Sequence, residues 1–217
     1  MANFEGRDLQ CRRGGRDVFA GLSFVLPPGG ALLLTGPNGS GKSSLLRLMA
    51  GLLRPAGGAL LWDGRPIAEA PEAHVARLHY LGHLDAVKPV LSVAENLSFW
   101  AALRGTKAAL GAAREAALER FALSELAAVP GRLLSAGQRR RLALARLVAA
   151  PAELWLLDEP SVGLDHASVG RLAAAIADHR TGGGRVVVAT HTALDLAEPQ
   201  RLSLDALTPP PLPEMVW

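Results

Sequence analysis

"ALLLTGPNGSGKSS", residues 31–44, decides how this chain must fold. "ALLLT" is an apolar run of strand length, bounded at once by a glycine-rich turn. Residues 42–53 behind the turn have helical spacing, which places Leu45, Leu46, Met49 and Leu52 on one face. A buried strand, a glycine loop and a helix in that order make a cradle for phosphate. The glycines let backbone N–H groups turn inward around anionic oxygens, and the helix points its positive end at the same place. The candidate contacts are Gly36, Pro37, Asn38, Gly39, Ser40, Gly41, Lys42, Ser43 and Ser44. Lys42 is expected to bridge the β- and γ-phosphates of a nucleotide, and the Ser43 hydroxyl to coordinate Mg²⁺.

Outward from this stretch, short apolar runs alternate with helical patterns, which predicts an α/β domain with a mainly parallel sheet. Residues 18–26 and 57–63 read as strands of an antiparallel edge region, and 77–83 as a strand leading into a loop. Ser92 followed by Glu95 is a capping-box pattern that opens a helical insertion over 92–150, with breaks expected at 104–107 and 129–133. "ELWLLDEP" (153–160) is then a buried strand, "HASVGRLAAAIADHR" (166–180) a helix, and "GGGRVVVATH" (182–191) a turn and a strand ending near a histidine. The expected organisation is one domain over 1–205, with a core of 1–91 and 151–205 and a helical subdomain of 92–150. A proline-rich tail, 206–217, follows and ends on Trp217. Proline removes the donor that a sheet needs, so the tail is expected to be polyproline-like or disordered.

Composition narrows the class. The 217 residues are 49% hydrophobic but only 5% aromatic, so the core must be aliphatic. The net charge is +3, with arginines spread along the chain and lysines only at 42, 88 and 107. A nucleic-acid partner would call for a clustered basic stripe, and none is expected here. The single cysteine, Cys11, permits no intrachain disulfide and reads as a small apolar residue. No stretch approaches the ~18 apolar residues of a membrane-spanning helix, so a cytoplasmic protein is expected, and any membrane association must come through a partner.

The strand "LWLL" delivers Asp158 and Glu159. With the glycine loop, Asp158 becomes a candidate Mg²⁺ ligand and Glu159 a carboxylate able to polarise an attacking water. The chain here resembles the nucleotide-binding subunits of ABC transporters. "LSAGQ" (134–138) is similar to the family's Leu-Ser-Gly-Gly-Gln signature, with Ala136 for glycine. The resemblance implies a phosphate-loop NTPase core of RecA-like type, an antiparallel β edge and an inserted helical subdomain. It further implies two copies packed head to tail around ATP, the signature residues Ser135, Ala136, Gly137 and Gln138 of one closing on the γ-phosphate held by the other. The physics agrees: Ser135 and the Gly137 N–H stand at a helix start, a second anion-binding edge. The following Leu142, Leu144, Ala145 and Leu147 are expected inward, and Arg139–Arg141 are expected to be solvated charges. By the same resemblance, Asp165 of "SVGLD" faces the partner copy, and His191 contacts the γ-phosphate and the catalytic water.

Two positions depart from the family pattern. Where a glutamine usually touches Mg²⁺ and senses the membrane partner, this chain reads "YLGHLDAVKPV", and counting back from "LSVAEN" places His83, or else Leu84, at that spot. Where an aromatic residue usually stacks on adenine, gap-free counting puts Arg13. A guanidinium can stack on a purine, and an ordinary surface arginine is the alternative. The short chain, "LGH", "LSAGQRRRLALARL" and "LWLLDEP" together resemble the ATP-binding subunits of the haem exporters of cytochrome c maturation. That resemblance implies an ATPase lying peripherally on the cytoplasmic face of the inner membrane and powering integral membrane subunits. It does not imply direct haem binding: His79 and His83 are four apart but fall on a strand-to-loop segment. Another ABC exporter or importer is the alternative. A soluble ABC-type ATPase outside transport is the less favoured alternative, since ABC-type repair, chromosome and translation ATPases call for a long coiled coil, a second ATPase domain or a basic stripe.

Overall fold

The computed structural model describes residues 2–103, 110–192 and 194–205. The expected break at 104–107 and the proline-rich tail with Trp217 lie outside the described residues. The strands are β1 Phe4–Arg13, β2 Arg16–Leu26, β3 Ala31–Thr35, β4 Gly57–Trp62, β5 Arg65–Pro66, β6 Leu78–Leu81, β7 Leu154–Asp158, β8 Arg185–Ala189 and β9 Gln200–Ser203. The helices are α1 Lys42–Met49, α2 Pro71–Ala76, α3 Val93–Leu103, α4 Leu110–Arg120, α5 Ala136–Ala149 and α6 His166–Thr181.

The strands form two sheets, an antiparallel one in the order β2-β1-β4-β5 and a second in the order β6-β7-β8-β3-β9 whose pairs are all parallel. Every residue of β7 and of β8 is buried, as befits central strands covered on both faces. One apolar core lies between the antiparallel sheet, α1 and one face of the parallel sheet, built from residues such as Phe4, Phe19, Leu45 and Leu156. The other face packs against α3, α4, α5 and α6 through residues such as Leu97, Phe121, Leu144 and Ile176. In a parallel sheet all carboxyl ends share one edge, so β3, β7 and β8 deliver the phosphate loop, Asp158 and the residues after Ala189 to the same side.

Most expected elements are present. The Ser92–Glu95 box closes reciprocally: the Ser92 N–H donates to Glu95 Oε2 (2.7 Å) and the Glu95 N–H to Ser92 Oγ (3.2 Å), which holds the Glu95 carboxyl below its usual pKa. Leu142, Leu144, Ala145 and Leu147 are buried as expected. Two expectations need correction. Helix α1 ends at Met49, so Leu52 lies beyond it and is 61% exposed, while Leu45, Leu46 and Met49 are buried. Arg139–Arg141 are not solvated charges: Arg139 donates to the Leu134 carbonyl, Arg141 to those of Phe121 and Ala122, and Arg140 is buried. The strands expected at 18–26 and 57–63 are β2 and β4 of the antiparallel sheet, with β1 paired between them.

Strand β1 has its own geometry. Phe4, Gly6, Leu9 and Cys11 are buried, a spacing of two broken once by a step of three. The extra residue is a bulge at Arg7–Asp8, where Asp8 takes φ +48°. Gly58 lies against it at φ +73°, and a Cβ there would sit 2.2 Å from the Asp8 carbonyl oxygen, so only glycine fits.

His179 on α6 stacks on Trp155 of β7, with ring centroids 4.0 Å apart and planes 5° apart, and its Nε2 is 3.1 Å from the Arg185 carbonyl. Burial pushes its pKa down from 6.5 to about 4, and burial lowers that of His74 as well. The unfolded chain therefore takes up protons before the fold does as pH falls below about 6.5. Stability from the neutral His179 ring is complete above pH ~6.5 and is lost toward pH 4, by about 2 kcal/mol at pH 5. We expect the melting temperature to drop between pH 7 and pH 5, and to drop less in His179→Phe, which keeps a ring on Trp155 but cannot titrate. Equal drops in the two proteins would remove His179 from the acid sensitivity.

Candidate active site

The glycine loop adopts the left-handed backbone that its composition calls for, with φ +136° at Gly36, +86° at Gly39 and +99° at Gly41. Gly41 is also the N-cap of α1, and a Cβ on it would lie 2.5 Å from Val18 Cγ1. The Lys42 ammonium folds back to donate to the carbonyls of Gly36 (2.6 Å) and Pro37 (2.8 Å). The loop therefore already wraps around a cation, set to meet phosphate oxygens. Ser40 Oγ is buried behind Gly36, with no hydrogen-bond partner among the described residues.

A hollow of about 360 Å³ opens in front of the loop. It is lined by Asn38, Gly39, Gly41, Lys42, Ser43 and Ser44, by Arg13 and Val18 from the antiparallel sheet, and by Asp158, Glu159 and His191. Asp158 closes β7 and is 7% exposed. With the Ser43 hydroxyl it offers only hard oxygen donors, the chemistry that suits Mg²⁺.

Glu159 leaves the strand at φ +46°, an unusual conformation for a residue with a side chain. Its carboxylate Oε2 accepts from Thr190 Oγ1 (3.1 Å) and from the His191 N–H (3.3 Å), while His191 Nε2 stands 3.8 Å from Oε1. Ser161, Thr192 and Thr190 form a hydroxyl chain ending at this carboxylate, with Oγ–Oγ1 2.6 Å and Oγ1–Oγ1 3.0 Å. These hydroxyls were not among the candidates, because single threonines after a strand carry no sequence signal of their own.

The signature residues lie elsewhere. Ser135 caps α5, accepting from the Gln138 N–H (3.2 Å) while its own N–H donates to Gln138 Oε1 (2.8 Å). Ser135 and Ala136 are exposed, Gly137 and Gln138 partly so, and none of the four lines the hollow. Gly137 is beside the carbonyl of Gly163, which a Cβ would approach to 3.4 Å. Asp165 caps α6 through the Ser168 N–H (2.8 Å). Its hydrogen bonds with Ser168 hold its carboxyl below the usual value. His83 is exposed and does not line the nucleotide hollow. It lines a second hollow of about 460 Å³ between the core and the helical block, together with Leu52, Val75, Leu84, Trp100 and Arg146. His79 is buried on β6 and bonded to the Ala150 carbonyl.

A strand–loop–helix cradle, an acidic strand end and a histidine around one hollow, with a capped signature helix outside it, define a family. The model of that family, described as ABC transporter, matches residues 19–162. The chain belongs to the ABC transporter family. Membership makes it an ATP-hydrolysing subunit of that class. The cytochrome c biogenesis ATP-binding export protein CcmA of Paramagnetospirillum magneticum is 60% identical over 205 residues, covering 94% of either chain. The protein of that name from Rhodospirillum rubrum is 60% identical over 211 residues, 97% of this chain and 89% of the other. Among solved structures, an ABC transporter ATP-binding protein from Pyrococcus furiosus superposes with a TM-score of 0.83 at 25% identity, covering 95% of this chain and all of that one. At 24% identity and a TM-score of 0.72, cbiO1 of Clostridium perfringens shares the fold. Among the described residues no helix is long and apolar enough to cross a membrane.

Proposed function

We propose that this chain hydrolyses ATP to power a haem export complex of cytochrome c biogenesis, working as a head-to-tail pair on the cytoplasmic face of the inner membrane. Relatives at 60% identity over nearly the full chain carry the export reading. The observation that carries the paired site is geometric. One hollow gathers Lys42, Ser43, Asp158, Glu159 and His191, while Ser135–Gln138 lie outside it on an exposed helix start.

In this reading the Lys42 ammonium exchanges its loop carbonyls for β- and γ-phosphate oxygens, and Arg13 stacks on adenine. Ser43 and Asp158 hold Mg²⁺, which when bound supplies neutralisation of the phosphate charge. Glu159 orients water and takes up its proton, and His191 holds that water against the γ-phosphate. Ser135 and the Gly137 N–H of the second copy complete the anion shell from the far side. His83 belongs to the second hollow. There Leu52, Val75 and Leu84 are 61%, 52% and 81% exposed, an apolar surface suited to the membrane subunits.

Lys42→Ala is expected to weaken ATP binding at least about tenfold, the loss of charge-assisted contacts worth ~1.5–3 kcal/mol. Titration of a fluorescent ATP analogue measures it, and unchanged affinity would remove Lys42 from the phosphates. The decisive experiment for the function is to purify the tagged chain from gently solubilised membranes of its own cell. Small multi-helix proteins of haem delivery co-purifying with it support the reading. A different permease overturns the haem assignment and leaves the ATPase, and a chain that stays wholly soluble overturns transport.

A further inference from the structure

Arg140 lies in the first half of α5 and is 6% exposed. Its guanidinium makes five donations. On one side Nε donates to the Pro160 carbonyl (3.3 Å), and Nη2 to those of Asp158 (3.2 Å) and Glu159 (2.6 Å). On the other side Nη1 donates to the Gly82 carbonyl (3.4 Å) and to Asp85 Oδ1 (3.0 Å).

The first three acceptors are consecutive carbonyls at the turn where Glu159 takes φ +46°. A non-glycine residue stays in that region only where its surroundings over-determine it, and a planar cation facing three carbonyls does so. The other two acceptors belong to the loop that leaves β6, whose Gly82, His83, Leu84 and Ala86 line the apolar hollow. One buried side chain from the signature helix thus bonds the carboxylate turn and the hollow-lining loop together.

We propose that Arg140 is a positioning residue that sets the Glu159 turn and ties it to the 82–85 loop, so that displacement of the loop is felt at the turn. The inference rests on the reading of Glu159 as the carboxylate beside the attacking water. Lysine cannot replace the linkage, because an ammonium has three donors and no plane. Asp85 is the anchor on the loop side.

The test measures kcat and KM for ATP on the full chain as wild type, Arg140→Lys, Asp85→Ala and the double variant, with melting temperatures, beside Glu159→Gln. Arg140→Lys and Asp85→Ala, which removes the acceptor altogether, are each expected to lower kcat about tenfold while KM stays within about threefold, the mark of an interaction that acts after binding. The double variant is expected to be about as slow as Arg140→Lys alone, because both changes cut one linkage. Unchanged kcat in folded variants, kcat and KM lost together with melting temperature, or fully additive effects overturns the proposal. Should Arg140→Lys not fold, Asp85→Ala decides alone: the Asp85 side chain is 25% exposed, and the change leaves the three carbonyl bonds intact. Full turnover by Glu159→Gln overturns the reading beneath the proposal instead, so the two failures are distinct.

Discussion

Replacing Glu159 by glutamine is expected to slow ATP hydrolysis by about 10²–10⁴-fold, the range for losing a positioned general base, with ATP affinity within about threefold of wild type. The structure explains why the change should be clean. Glu159 Oε2 accepts from Thr190 Oγ1 and from the His191 N–H, and an amide oxygen accepts from both equally well. The amide NH₂ then falls on the His191 side, where the ring nitrogen stands 3.8 Å from Oε1. The turn itself is held through backbone carbonyls by Arg140, which the substitution does not touch. What is lost is the capacity to take up a proton. ATP should therefore bind and stay, and two copies should remain closed around it. Sizing chromatography with ATP and Mg²⁺ should show a stable dimer for the variant and a transient one for wild type. Turnover at the wild-type rate would remove Glu159 from the chemistry, and a variant that stays monomeric with ATP bound would remove ATP from the interface.

Much of this fold is legible because buried parallel strands write themselves as unbroken apolar runs. "ALLLT", "LWLL" and "VVVA" are β3, β7 and β8, and the polar residues at their carboxyl ends line the nucleotide hollow. The strands that escaped notice lack that simplicity. In β1 the alternation of buried residues is shifted by the bulge at Arg7–Asp8, so a period of two cannot be followed across it. In β9 only Leu202 is partly covered, since an edge strand of four residues need not be apolar. Arg140 was misread because three consecutive arginines suggest a solvated face. Yet Arg140, Leu144 and Leu147 stand at i, i+4 and i+7 on α5, one helical face, and all three are buried. The spacing held the signal, and residue type argued against it. The acceptors that Arg140 satisfies come from positions 18 to 58 residues away, and no local pattern shows them.

Mixing two inactive chains is expected to restore activity. Ser135→Arg places a long cation on the exposed N-cap of α5, which should block closure on a facing phosphate and break the signature while leaving the hollow of its own chain untouched. Glu159→Gln breaks the hollow and leaves the signature intact. In a two-fold pair each site combines the hollow of one copy with the signature of the other. A mixed pair therefore holds one site with both faults and one site with neither. If equal amounts associate at random, half the pairs are mixed and half of their sites are sound, so about a quarter of wild-type turnover should return. Each variant alone should stay near zero, because every site of a pure pair carries one fault. The recovery must also depend on dilution, since it lives in an interface and not in a chain. A signature acting on the hollow of its own chain gives the opposite result: every site then keeps its fault, and the mixture is as inactive as its parts. ATPase measured across mixing ratios decides between the two, with a maximum at equal amounts for the paired site and a flat line near zero for the alternative.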